Sequence, residues 1–159
     1  MKIVISILAF LTFGTLNVKA CDCKEVKSIK DEYDYSKSIV TGKIISQEQV
    51  VIYDSKVVKY EPDSKPYNGR LIMKYELVLT EVIKGNFKTD TIIIYTGMGA
   101  GDCGFRFKSG EKYLIYGIDG TNNDSVFTNE NKSLWTINCF RTKKEDKAEI
   151  EKLREITKK

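Results

Sequence analysis

The chain has 159 residues, 42% of them hydrophobic, and a formal charge of +4 with no histidine anywhere. Without histidine, Ser-His-Asp and Cys-His catalytic sites and histidine-ligated zinc are excluded. Acid–base work would fall to Glu, Asp, Lys or Tyr, and no pair of carboxylates is marked out for it, so an enzyme is not expected; the charge is too near neutral to point to nucleic acid.

The opening "MKIVISILAFLTFGTLNVKA" sets Lys2 before an apolar run from Ile3 to Phe13 and ends in a more polar tail. That is the layout of a secretory signal peptide over residues 1–20, with Val18 and Ala20 suited to a cut before Cys21. The run is shorter than the roughly 20 apolar residues that a spanning helix needs, so no stable membrane span is expected. A lipoprotein cut would also fall before Cys21. Lys19 fits that cut poorly, and lipidating Cys21 would leave an odd thiol. The expected product is a secreted monomer (periplasmic or cell-surface in a bacterium). It is one domain over 21–159, and loss of Lys2 and Lys19 lowers its formal charge to about +2.

Residues 24–37, "KEVKSIKDEYDYSK", place Val26, Ile29 and Tyr33 at helical spacing and predict a short helix. "SIVTGKII" is β-rich, with Val40 and Ile44 inward and Gly42 at a bulge or bend. "QVVIYDSKVVKY" continues as strand. "EPDSKPYNGR" holds both prolines and Asn68-Gly69 and reads as a loop or hairpin tip. In "LIMKYELVLTEVIKG", Leu71, Met73, Tyr75, Leu77 and Leu79 form one apolar face and Lys74, Glu76 and Thr80 the other. This is a half-buried antiparallel strand whose phase changes after Thr80, where a bulge or bend is expected.

"TDTIIIYTG" is an apolar strand, "GMGAGDCG" a loop, "GEKYLIYGIDG" a strand, and "SVFTNENKSLWTINCF" a ragged hairpin ending at Cys139. The last stretch predicts a helix over about 143–158. Thr142 and Glu145 would form a capping box, and Ala148, Ile150, Leu153 and Ile156 a partial apolar face. Five or six strands without βαβ alternation, plus terminal helices, give a mainly β fold. A small antiparallel barrel or sandwich is expected, and a five-stranded Greek-key barrel is the simplest form.

The four cysteines are Cys21, Cys23, Cys103 and Cys139. A four-thiolate zinc site usually has two close pairs, and here there is one; a secreted chain favours two disulfides. Bonding Cys21 to Cys23 would strain a small ring, which leaves two long-range connectivities open. Closing loops of about 80 to 115 residues stabilises by roughly 4 to 5 kcal/mol in the chain-entropy picture. The glycines at 97, 99 and 101 lack the Gly-Lys-Ser/Thr and helix of a phosphate cradle, so they mark a close backbone approach. Asn123 and Asn131 open glycosylation sequons, which carry meaning only in a eukaryotic source.

Taken together, Cys21-Asp22-Cys23 after the leader, "YNGRLIMKYELVLTEVIKG", "IIIYTG", "CGFRFKSGEKYLIYG" and "TINC" resemble the tissue inhibitors of metalloproteinases and their wider netrin-like domain family. The match runs over nearly the whole mature chain, in a single-domain form. The resemblance implies an oligonucleotide/oligosaccharide-binding-type barrel with flanking helices, and the disulfides Cys21–Cys103 and Cys23–Cys139. It implies an inhibitory ridge of Cys21, Asp22, Cys23 and Lys24, beside a contact loop of Met98, Gly99, Ala100, Gly101 and Asp102. The partner would be a zinc metalloprotease, whose catalytic zinc the backbone N and O of Cys21 would chelate; the chain itself would hold no metal or cofactor. This sequence departs from the family pattern at Asp22, where a small or hydroxyl residue is usual, and at "KEVK", where a proline is missing. It also lacks the third disulfide and the second domain. A netrin-like binding module that inhibits no protease is the alternative expectation.

Overall fold

The computed structural model describes residues 21, 23, 27–53, 56–63, 69–99, 101–118 and 133–158. The signal-peptide expectation, Asp22, Lys24, Val26, Ala100, the centre of the 61–70 loop, the first part of the 125–140 hairpin and both sequons lie outside them.

Helix α1, Ile29–Tyr35, opens on a reciprocal cap. The Ser28 hydroxyl accepts from the Asp31 N–H, and the Asp31 carboxylate accepts from the Ser28 N–H. The strands are β1 (Ser38–Tyr53), β2 (Lys56–Lys59), β3 (Arg70–Lys84), β4 (Thr91–Thr96), β5 (Lys112–Gly117), β6 (Ser133–Trp135) and β7 (Lys143–Lys144), and helix α2 is Lys147–Thr157. The fold is mainly β. The sheet runs β6-β4-β3-β1-β5-β7, with β2 hairpinned onto the far half of β1. All pairs are antiparallel except β4–β6, which is parallel, a departure from the expected antiparallel sheet. The long ladder is open between β6 and β5. A bridge of two 3.0 Å hydrogen bonds between Ile118 and Trp135 spans that gap.

Alternation along the strands sorts the core into layers. Val40, Ile44, Tyr75, Leu77, Ile92, Ile94, Tyr113 and Ile115 fill one cluster. Their sequence neighbours Ile39, Leu114 and Tyr116 point the other way and meet Phe140, Ile150 and Leu153 under the helices. Both faces of β5 are therefore covered. Each fully buried Ile or Leu contributes about 1.5 to 3 kcal/mol of transfer free energy. β3 also departs from its expected pattern, because Ile72, on the face opposite Tyr75 and Leu77, is fully buried with Val50, Ile52 and Trp135.

The β1–β3 register shifts three times. One shift leaves Thr80 unpaired between Glu81 and Leu79, which pair with Thr41 and Gly42, so the expected bulge and the Gly42 irregularity are one feature. A Cβ on Gly42 would lie 2.4 Å from the Val78 carbonyl oxygen.

The C-terminal helix begins four residues later than expected, and its cap is Asp146, whose carboxylate accepts from the Glu149 N–H. Thr142 does not cap it. Its hydroxyl accepts from the Tyr116 N–H at 3.0 Å, while Lys143 and Lys144 pair with β5. Sheet pairing claims the backbone that a longer helix would have used. Ile150 and Leu153 are buried as expected, whereas Ala148 is exposed.

Candidate functional site

The structure joins Cys21 to Cys103 and Cys23 to Cys139, with Cα–Cα distances of 5.4 and 5.1 Å. Of the two connectivities left open by elimination, this is the one the resemblance implies. Cys23 is exposed and Cys21 half-buried. The two bonds sit side by side, and the sulfurs of Cys21 and Cys139 lie 3.8 Å apart. The N-terminal stretch is thereby held at two points against the ends of two segments of the body.

The segment that anchors Cys21 is the glycine loop. The Asp102 carboxylate accepts from the N–H groups of Met98 (2.6 Å), Gly99 (2.8 Å) and Gly104 (3.2 Å). Burial pushes this carboxyl up, but the three backbone donors outweigh it, and the group rests below the ordinary carboxylate range. Cys103 adopts φ 59°, the left-handed region, between Asp102 and Gly104. Gly104 approaches the Gly97 carbonyl so closely that a Cβ would stand 2.0 Å from its oxygen. Asp102 thus shapes the loop from inside. Met98 and Gly99 are half-buried, and Gly101 is exposed beside the disulfide.

The segment that anchors Cys23 is the 136–142 turn. The Asn138 N–H donates to the Cys103 carbonyl and its side-chain amide to the Gly104 carbonyl, both at 2.8 Å. These bonds lock the two anchor segments to each other. Arg141 then reaches back, with Nη1 donating to the Lys27 carbonyl at 2.9 Å. Its Nε and Nη2 grip the buried Glu149 carboxylate at 2.9 and 2.6 Å, which also accepts from Tyr116 Oη at 2.6 Å and Lys143 Nζ at 2.5 Å.

Sequence reasoning missed two residues here. A cleft of about 400 Å³ beside the Cys23–Cys139 bond is lined by Lys27, Glu32, Asn138, Phe140 and Arg141 among others. Glu32 is fully buried, and neither carboxylate oxygen has a hydrogen-bond partner. The Lys27 ammonium stands 3.8 Å away. Burial holds the Glu32 carboxyl above its ordinary value, against the opposing pull of Lys27 and Arg141. The nearby Ser36 hydroxyl favours the anion slightly but forms no aligned bond to it. In "KDEYDY" Glu32 has the pattern of a solvated helix acid, and Arg141 follows Phe140 with no periodicity. Neither carries a signal in the sequence. Among the described residues, no helix is long and apolar enough to cross a membrane. No protein-family model matches the chain, and no curated protein matches its sequence.

Proposed function

We propose that this chain is a secreted inhibitor of zinc metalloendopeptidases that acts through the α-amino and carbonyl groups of Cys21. One observation carries the reading. Both Cys21 and Cys23 are tied to distant cysteines in the pairing that the resemblance implies, so each is anchored to the body of the domain. A five-stranded Greek-key barrel of the oligonucleotide/oligosaccharide-binding type is the matching fold reading. The strand order β6-β4-β3-β1-β5 and the Ile118–Trp135 bridge between its two ends support it.

A catalytic zinc keeps an open or water-filled position beside three protein ligands. A neutral α-amine and the carbonyl of the same residue fill it as a five-membered chelate. The α-amino pKa of about 7.7 to 8.0 makes deprotonation near neutral pH inexpensive, and the metal promotes it. The paired disulfides hold Cys21 and Cys23 in place before binding, which lowers the ordering cost. The zinc belongs to the partner. The test is a panel of zinc proteases with protein beginning at Cys21, beside protein carrying one extra N-terminal alanine. The free form inhibits, and the extended form is weaker by about 100-fold, or about 2.7 kcal/mol. Equal potency, or no inhibition by either, refutes the reading.

Asp22 favours a second reading, a netrin-like module for an extracellular or cell-surface protein or glycan. A carboxylate is costly in an apolar specificity pocket unless it is paired. Pull-down from the native surface or matrix without recovery of a zinc protease supports this reading over the first.

A further inference from the structure

We propose that the two disulfides form an exchange pair, in which Cys21 moves between Cys103 and Cys139. The sulfurs of Cys21, Cys103 and Cys139 lie within 4.8 Å of one another, and that of Cys21 is 3.8 Å from Cys139 although it is bonded to Cys103. Cys103 and Cys139 cannot drift apart when the bond to Cys21 opens. Asn138, next to Cys139, donates from its backbone to Cys103 and from its side chain to Gly104. The attacker is equally confined, because Cys21 stands two residues from Cys23, which stays tied to Cys139. Exposure of Cys23 and partial exposure of the other three leave the pair open to a small or protein dithiol.

The chemistry balances with that dithiol as the single reductant. It reduces Cys21–Cys103 by two electrons, becoming a disulfide itself and leaving thiols on Cys21 and Cys103. The Cys21 thiolate then attacks the Cys139 sulfur. The Cys21–Cys139 bond forms as Cys23–Cys139 breaks, the electron pair leaves on the Cys23 sulfur, and solvent supplies its proton. No further redox equivalent is consumed. Resting on the inhibitory reading above, exchange would carry residue 21 from the glycine loop to the 136–142 turn and misplace its amine and carbonyl. The exchange itself is read without any protease, so the two ideas fail separately.

The experiment is a pulse of equimolar dithiothreitol on the folded chain, quenched with N-ethylmaleimide. Fragmentation mass spectrometry then separates label on Cys21 from label on Cys23. The expected product carries a Cys21–Cys139 bond with label on Cys23 and Cys103. Its amount lies within about tenfold of the unexchanged form labelled on Cys21 and Cys103, a span of about 30 mV between the two bonds. Label confined to Cys21 and Cys103 overturns the proposal. The Cys103→Ser variant needs no reductant, and its label divides between Cys21 and Cys23; label on Cys21 alone overturns the proposal again. If circular dichroism shows that variant unfolded, the wild-type pulse decides. The same pulse in guanidinium chloride gives a smaller Cys21–Cys139 share, and an equal share refutes the part assigned to the folded platform.

Discussion

Replacing Glu149 by glutamine keeps the side chain's shape and removes its charge. The carboxylate is 4% exposed and gathers Arg141, Lys143 and Tyr116. Burial alone would push its carboxyl up. The three donors outweigh burial and hold the group at about 2, against an ordinary 4.5. A carboxyl so depressed adds about 3 kcal/mol of stability at pH 7. That agrees with the roughly 3 to 5 kcal/mol lost when one partner of a buried ion pair is removed. Part of the Lys143 contribution is screened, since that side chain is 36% exposed. The folded value lies below the unfolded one, so this stability is complete above about pH 4.5 and is lost as pH falls through about 2.

Urea unfolding with the disulfides intact, across that range, measures the gap between Glu149→Gln and the native chain. The gap should be about 3 kcal/mol at pH 7 and close on acidification, with the urea dependence unchanged. A loss under about 1 kcal/mol at pH 7, or a gap that stays constant down to pH 2, refutes the assignment.

Glu32→Gln should act in the opposite sense. Its folded carboxyl lies above the ordinary 4.5, so native stability falls as pH rises through that window, and the variant should lose this slope; a thermal-melt series from pH 4 to 7 showing the slope intact would count against it. Gly104→Ala drives a Cβ into the Gly97 carbonyl and should cost about 3 kcal/mol and disorder the loop, read by chemical unfolding; a loss under about 1 kcal/mol contradicts the close approach. Asp22→Thr should strengthen inhibition of proteases with apolar specificity pockets, measured as a fall in inhibition constant, and unchanged or weaker inhibition argues against a pocket role for residue 22.

Much of the sheet is legible because the patterns in this chain are simple. Period-two alternation from Leu71 to Leu79 marks a strand, and the slip after Thr80 marks a bulge that the register repeats at Gly42. The second apolar face escapes that reasoning. Ile72 looks like an interruption on the polar side, and only Val50, Ile52 and Trp135 packed on that face make it core. The late start of α2 has the same origin. Thr142 and Glu145 form a good local cap, but a buried hydroxyl serves Tyr116 and two lysines complete a strand pair, and those long-range bonds prevail over local propensity.

By itself the sequence determined the absence of histidine chemistry, the mainly β character, the approximate strand positions and the pairing of cysteines into two long loops. These follow from residue type and short-range periodicity. Only the tertiary structure decided that the two disulfides lie in contact, that Asp102 is consumed by the loop before Cys103, and that Glu32 and Glu149, two helix acids alike in sequence, end with opposite fates. One meets Arg141, Lys143 and Tyr116 in good geometry and the other meets almost no donor. Solvent exclusion and hydrogen bonding across dozens of residues set that difference, and no local pattern encodes it.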